Sequence, residues 1–241
     1  MAKKSIDYFG KLFDISYDIV NLEASDTIVF LHGWGSNKEL MQNAFTSKLQ
    51  DYKHIYIDMP GFGQSTNNYI LTTKDYANIM EIFLKTISVD ISKSTIVGHS
   101  FGGKVATYLS PKILVLLSSA GIVEDKSLKT LLTIRMAKVF NRFGLAKVTK
   151  LLRSKDVENM SPYMYETFKN VVDEDFSEVF KAYTKKALIF WGEKDTATSL
   201  ESGKLIHSYI KNSLFKSYDL DHYFFLHHSE DIAKVIDENK N

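Results

Sequence analysis

The 241-residue sequence contains no cysteine and only three prolines. Without cysteine there are no disulfide bonds, no thiolate nucleophile and no metal site with cysteine ligands. No apolar run approaches the 18 residues of a membrane span, and no apolar stretch follows the basic start, so we expect neither a span nor a signal peptide. The 30 basic and 29 acidic residues leave a net charge of +1. These absences favour a cytoplasmic protein and give no reason to expect nucleic acid or a membrane surface as a partner.

The sequence does contain a regular alternation of apolar runs and helical stretches. Short β-like runs at 5–9 and 11–20 predict an opening hairpin. A continuous run of β-branched and aromatic residues, typical of a buried parallel strand, occurs at 27–31. Further strands are predicted at 54–58, 94–98, 112–117, 187–192 and 213–219. Helices are predicted at 37–49, 74–87, 101–109, 200–210 and 229–238. The alternation predicts an α/β fold with a mostly parallel, doubly wound sheet and helices on both faces.

The alternation stops between about residues 122 and 183. Four helix-like segments replace it there, and apolar stripes at helical spacing cover 128–140 and 176–183. A helical block between two strands of one sheet is best explained as a cap over the carboxyl ends of the strands. We therefore predict an α/β core formed by 1–121 and 184–241, with an inserted all-helical cap at 122–183.

The five residues from Gly98 to Gly102 form a Gly-x-Ser-x-Gly motif between a predicted strand and a predicted helix. A serine hydroxyl is a poor nucleophile unless it is exposed and lies beside a base. A sharp turn from strand to helix projects the side chain above the sheet, and the glycines remove Cβ atoms that would clash there. The motif in this setting predicts Ser100 as a nucleophile.

A nucleophilic serine needs a base and an acid that orients the base, and both are expected later in the chain. His222 is the favoured base among seven histidines, because it follows the last predicted strand, where a loop can hold it over Ser100. Asp195 follows the strand at 187–192, where its carboxylate can accept the imidazole Nδ1–H and fix the tautomer. Glu193, Asp219 and Asp221 are rival acids.

Backbone N–H groups that stabilise an oxyanion must be placed in advance of the reaction. One is expected from Phe101, which follows the nucleophile, and one from Trp34, in the loop that follows the strand at 27–31. His32 is expected to brace this loop by hydrogen bonding. The side chains expected to line a substrate pocket are those of Trp34, Tyr163, Phe168 and Tyr223.

The order of Ser100, Asp195 and His222, with the segments 32–35, 58–65 and 98–103, resembles the α/β-hydrolase superfamily. Within it the chain looks like small capped carboxylesterases, including the pimeloyl-ester esterase of biotin synthesis. It also looks like the C–C bond hydrolases of aromatic meta-cleavage pathways, although Trp usually follows the triad histidine in that group and Tyr223 does so here. The superfamily's haloalkane dehalogenases use an Asp nucleophile, which argues against that activity.

The resemblance implies a serine hydrolase that cleaves a carboxylic ester through an acyl-enzyme, with no metal or organic cofactor. One alternative is a C–C bond hydrolase acting on a ketone, a 2-hydroxy-6-oxo-dienoate. A second is a ligand-binding receptor of the same fold without catalysis. The expected partner is a small-molecule substrate, and the oligomeric state is open.

The predicted cap is unevenly charged. Residues 122–155 carry nine lysines and arginines against two acids, and residues 156–180 carry seven acids against one lysine. Two solvated helix faces that attract each other explain this pattern. A sharper hypothesis is that basic residues reach the pocket mouth and favour a substrate that bears a carboxylate.

Overall fold

The computed structural model describes residues 2–124 and 160–240 of the chain. Eight strands form a single sheet in the spatial order β1-β2-β4-β3-β5-β6-β7-β8. The strands are β1 (Ala2–Tyr8), β2 (Lys11–Val20), β3 (Asp26–Leu31), β4 (Tyr52–Ile57), β5 (Thr95–His99), β6 (Ile113–Leu117), β7 (Lys186–Gly192) and β8 (Ser213–Tyr218).

Along the chain, the described helices lie between the strands from β3 onward, and the last one follows β8. They are α1 (Lys38–Phe45), α2 (Thr73–Thr86), α3 (Phe101–Leu109), α4 (Pro162–Val172), α5 (Ser177–Ala182), α6 (Leu200–Tyr209) and α7 (Phe225–Glu238), with a short 3₁₀ turn at Ile91–Lys93.

The sheet is mostly parallel, as the alternation predicted. Strands β1 and β2 form the predicted antiparallel hairpin, and β2 also pairs antiparallel with β4. The remaining five pairings, from β4 to β8, are parallel. Every residue of β5 and β6 is buried, because helices cover the sheet on both faces.

The two faces of the sheet carry separate apolar clusters. Successive side chains of a strand point to opposite faces. In β6, Leu114 and Leu116 therefore pack with α2, α3 and α6, whereas Val115 and Leu117 pack with α1 and α7. This division confirms the doubly wound arrangement.

Two helix boundaries differ from the sequence prediction by more than one residue. The helix predicted over 37–49 ends at Phe45, four residues early. The helix predicted over 229–238 begins at Phe225, and a non-helical backbone at His228 (φ −117°) separates its first turn from the rest. Phe225 is fully buried, so core packing holds this first turn in place.

The described part of the predicted cap contains α4 and α5. Phe176 and Phe180 are fully buried in the cluster that also holds α2 and α3, so the α5 segment packs directly on the core. The apolar stripe at 128–140 lies outside the described residues. The boundaries between the predicted cap and the α/β core, at 122 and 183, remain a prediction. Within 2–124 and 160–240, no helix has the length and apolar character that crossing a membrane requires.

Candidate active site

Ser100, the predicted nucleophile, lies in the turn between β5 and α3. Its backbone has φ 51° and ψ −116°, a positive φ that is uncommon for a residue with a side chain. Its N–H donates to the Leu117 carbonyl at 3.0 Å, and its own carbonyl accepts from the Ala120 N–H at 3.1 Å. The neighbouring strand and the segment after it therefore hold Ser100 in a strained conformation of the kind found at functional sites.

Gly98 shows why the turn needs glycine before the serine. A Cβ atom at this position would lie 2.4 Å from the Gly102 carbonyl oxygen and 2.6 Å from the Gly103 Cα. Helix α3 therefore comes directly against the end of β5. This close approach is the one that the motif predicted.

His222 and Asp195, the predicted base and orienting acid, are in contact. His222 lies in the loop between β8 and α7, and Asp195 follows β7. His222 Nδ1 is 2.6 Å from Asp195 Oδ2. A carboxylate at this position accepts a hydrogen bond from Nδ1–H, so in the neutral ring Nε2 is the nitrogen without a proton.

The Asp195 carboxylate accepts three further hydrogen bonds. Its Oδ1 accepts from the N–H groups of Ala197 at 2.8 Å and Thr198 at 2.9 Å, and its Oδ2 accepts from Thr198 Oγ1 at 3.0 Å. Burial by itself would raise the pKa of Asp195, but the hydrogen bonds from His222 and Thr198 outweigh it and lower the pKa to about 2. Asp195 is therefore ionised at neutral pH.

The three rival acids lie against other partners. Glu193 accepts from Ser217 Oγ at 2.7 Å, Asp219 pairs with Lys194 at 2.8 Å, and Asp221 accepts from the Tyr223 N–H at 2.9 Å. Of the four candidate acids, Asp195 is the one that the structure brings to the imidazole.

His32 braces the loop after β3, as expected from its position. It is fully buried, with Nδ1 2.7 Å from the Gly33 carbonyl and Nε2 3.1 Å from the Met59 nitrogen. Burial lowers the pKa of His32 to about 4, so the ring is neutral at pH 7. Nδ1 then carries the proton and donates to Gly33, and Nε2 accepts from Met59.

A second brace of this loop region was not found from the sequence. Lys38 begins α1 and is fully buried, with Nζ 2.9 Å from Asp58 Oδ2. Asp58 also accepts from the backbone N–H groups of Lys38 at 2.8 Å and Gln64 at 3.0 Å. A lysine at the start of a helix usually lies in solvent, so the residue type gave no reason to expect Lys38 to be buried. The one hint in the sequence was Asp58, an acid that directly follows β4.

The predicted oxyanion donors Trp34 and Phe101 line the same cavity as Ser100. Phe101 is the first residue of α3, and N–H groups in the first turn of a helix have no acceptor within the helix. The centroid of the Trp34 ring lies 5.4 Å from that of Phe101, 4.8 Å from that of Phe62 and 5.3 Å from that of Phe168.

A cavity of about 570 Å³ joins these residues. Ser100 and His222 line it together with Trp34, Phe101 and two of the other predicted pocket residues, Phe168 and Tyr223. Tyr163 is not brought to this cavity, because it lies at the start of α4 with 47% of its surface exposed. Sequence reasoning missed much of the wall, namely Ile122, Val123, Glu124, Val171, Val172, Asp173 and Thr196–Thr198.

The charged groups on the described wall are Glu124 and Asp173. Glu124 accepts from the Ser199 N–H at 2.7 Å and from Ser202 Oγ at 2.5 Å, which ties the start of the predicted cap to α6. The basic residues at 126–155 lie outside the described residues. Over 2–124 and 160–240, no group of three or more His, Asp or Glu side chains is arranged to hold a metal ion.

Known proteins share this architecture. The hydrolase YugF of Bacillus subtilis (strain 168) is 24% identical over 85% of this chain and 85% of its own length. A thermophilic esterase from Thermogutta terrifontis superposes with a TM-score of 0.73 at 15% identity, over 99% of this chain and 97% of that one. A meta-cleavage product hydrolase from Pseudomonas fluorescens IP01 gives a TM-score of 0.68 at 18% identity, over 98% and 96%. The model of the alpha/beta hydrolase family matches residues 28–235, and the chain belongs to that family.

Proposed function

We propose that the protein is a serine hydrolase that cleaves a carboxylic ester of a small molecule. Membership of the alpha/beta hydrolase family supports hydrolysis as the reaction class. The observation that carries the proposal is the contact of 2.6 Å between His222 Nδ1 and Asp195 Oδ2, on a cavity that Ser100 also lines. A nucleophile, a base and an ionised orienting acid are the groups that acyl transfer requires.

In the proposed reaction Ser100 Oγ attacks the acyl carbon, and its proton passes to His222 Nε2. The N–H groups of Trp34 and Phe101 donate to the oxyanion, and the alcohol leaves with the proton that His222 gives back. Water then attacks the acyl carbon while His222 takes a proton from the water. The acid is released as the bond between the acyl carbon and Ser100 Oγ breaks and His222 returns the proton to Oγ. Asp195 stays ionised and stabilises the imidazolium in both steps.

The cavity supports a substrate of modest size. A volume of about 570 Å³ lies within the range of small-molecule sites, and Phe168, Val171 and Ile122 give it apolar walls. An ester with a short or medium acyl chain fits these walls. The hypothesis that basic residues of 122–155 select a carboxylate-bearing substrate stays a prediction, tested by comparing kcat/KM for neutral and anionic esters of equal length at low salt.

The test of the proposal is the Ser100→Ala variant, assayed with p-nitrophenyl acetate and butyrate. We expect kcat to fall by at least about 10³-fold with no change in circular dichroism, because no other group supplies the nucleophile. Ser208→Ala, an exposed serine on α6, is the matched control and keeps full activity. Full activity of Ser100→Ala would contradict the proposal.

Two further measurements separate the alternatives. A fluorophosphonate probe labels the wild-type protein at Ser100 if the serine is activated, whereas an unlabelled protein would favour the ligand-binding receptor. A 2-hydroxy-6-oxo-dienoate, followed by its loss of absorbance, tests C–C bond hydrolysis. Labelling combined with turnover of the dienoate and not of esters would replace the ester by the ketone as substrate.

A further inference from the structure

His99 is a buried histidine that the proposed reaction does not use. It is the last residue of β5, directly before Ser100, and only 1% of its surface is exposed. Its ring centroid lies 4.6 Å from that of His222, 5.5 Å from that of Tyr223 and 4.8 Å from that of Phe225. The ring is therefore packed against the loop that carries the proposed base.

The hydrogen bonding of His99 fixes its tautomer. Nε2 lies 3.2 Å from the main-chain carbonyl oxygen of His222. A carbonyl oxygen only accepts, so Nε2 carries the proton and donates it. The other nitrogen, Nδ1, is buried and has no hydrogen-bond partner within the described part of the chain.

Gly33 closes the space on the Nδ1 side. A Cβ atom at Gly33 would lie 2.9 Å from His99 Nδ1 and 3.1 Å from the Ser100 Cβ, so this side of the ring is packed against the loop after β3. A proton on Nδ1 would lack an acceptor there, and burial lowers the pKa of His99 well below its usual range. The ring is therefore a neutral Nε2–H donor held between two loops of the site.

We propose that His99 is a positioning residue, whose Nε2–H holds the main-chain carbonyl of His222 and so sets the imidazole over Ser100. Asp195 fixes the orientation of the imidazole ring through Nδ1, and His99 fixes the backbone from which the ring extends. The inference rests on the proposed function, because it assigns His99 a role only if His222 is the base.

The experiment compares His99→Met with His99→Gln. Neither side chain branches at Cβ or Cγ, the two are of nearly equal length, and neither has an atom in place of the unpartnered Nδ1. Only glutamine keeps an N–H donor at the distance of Nε2. The difference between the two variants therefore isolates the hydrogen bond to His222 from the packing of the ring.

With p-nitrophenyl butyrate we expect His99→Met to lose about tenfold or more in kcat with KM within about twofold, since small misplacement of a catalytic group slows the reaction. His99→Gln is expected to stay within about threefold of the wild-type kcat. Equal losses in both variants would reduce His99 to a packing residue, and a wild-type kcat in His99→Met would overturn the inference outright.

A measurement on the wild-type protein guards against variants that misfold. Nitrogen-15 NMR of the histidine side chains is expected to show His99 as the neutral Nε2–H tautomer from pH 8 to pH 5.5. A proton on Nδ1, or charging of His99 in this range, would overturn the inference. Ser100→Ala separates the two proposals: if it is inactive while His99→Met is fully active, only the role of His99 fails.

Discussion

At the scale of single residues, the environment of Asp195 distinguishes it from the other acids near the site. It is 7% exposed and accepts hydrogen bonds from His222, Ala197 and Thr198. These donors keep it charged and aim it at one nitrogen of the imidazole. Charge and direction are both needed, because the acid must select the tautomer of the base as well as stabilise the imidazolium.

Asp195→Asn should therefore lower kcat by about 10³-fold or more while the fold is retained. The asparagine amide would donate an N–H to Nδ1 and so favour the tautomer with the proton on Nε2. This removes the free Nε2 that the proposed reaction needs as acceptor of the Ser100 proton. The measurement is kcat with p-nitrophenyl butyrate, with thermal unfolding as a check on the fold.

Two matched controls replace rival acids by their amides. Glu193→Gln and Asp221→Asn are expected to keep kcat within about threefold, because neither carboxylate contacts the His222 ring. A loss in Glu193→Gln that equals the loss in Asp195→Asn would show that the acid had been assigned wrongly.

That Ser100 and His222 line one cavity, with Asp195 at the imidazole, could be predicted from the sequence because each residue follows a recognisable strand by a few residues at most. Parallel strands end at one edge of a sheet, so residues after β5, β7 and β8 meet there. Lys38 and His99 carried no such signal, since their burial depends on Asp58 and on the His222 carbonyl, which are distant in sequence. Tyr163 was expected at the pocket from its residue type alone, and the orientation of α4 decides that question.

At the scale of elements, the end of α4 is bonded to α3, the helix that follows Ser100. Lys104 on α3 is 1% exposed, and its Nζ donates to the Val171 carbonyl at 2.6 Å and to Glu174 Oε2 at 2.9 Å. Thr73, the first residue of α2, also donates to Glu174. Because Val171 lines the cavity, this cluster sets one wall of the proposed substrate site.

Lys104→Met is expected to lower the free energy of unfolding by about 2 kcal/mol, because it leaves the Val171 carbonyl and Glu174 without their cation. The same change should raise KM for p-nitrophenyl butyrate several-fold and leave kcat within about threefold, since the wall moves and the reacting groups do not. Urea unfolding and steady-state kinetics measure the two effects.

Lys169→Met is the matched control, because Lys169 lies on α4 and pairs with Glu166 on an exposed face. Exposed pairs of this kind contribute less than about 1 kcal/mol, so both KM and stability should stay close to wild type. If the Lys104 and Lys169 variants behaved alike, the cluster would have no special part in holding the cavity wall.

The elements themselves were predictable where one physical cause dominates. Strands β3, β5, β6 and β7 are mainly apolar because both faces of the sheet are covered there. Strand β8 lies at the edge of the sheet and is only partly buried. All six strands from β3 to β8 were found within two residues at each end. The first turn of α7 was missed because the burial of Phe225 between α1 and the sheet outweighs local propensity.

At the scale of the whole molecule, three buried histidines couple folding to pH. Burial lowers the pKa of His32, His54 and His99 below that of a free imidazole. The native state therefore keeps these rings neutral under mildly acidic conditions, whereas the unfolded chain protonates them near pH 6.5. The unfolded state binds more protons in this interval, so acidification favours unfolding.

For His32 the interval runs from about pH 6.5 in the unfolded chain to its native pKa of about 4. Stability from this group is fully present above pH 6.5 and is lost as the pH falls toward 4, by about 3 kcal/mol in total. Asp195 acts in a lower interval: its lowered pKa stabilises the fold above about pH 4, and that contribution is lost toward its native value of about 2.

Urea unfolding of wild type and His32→Gln at pH 7.5, 6, 5 and 4.5 tests this coupling. The wild-type free energy of unfolding should fall steadily between pH 6.5 and 4.5, and His32→Gln should fall less steeply, by up to about 1.4 kcal/mol per pH unit. The difference at pH 7.5, where the ring is neutral in both states, reports only the lost contacts with Gly33 and Met59. The hydrogen bond from the Met59 N–H to Nε2 requires that nitrogen to be free of a proton, so the native ring should stay neutral. Parallel curves for the two proteins below pH 6.5 would contradict this, because they would mean that His32 gains its proton in the native state as readily as in the unfolded chain.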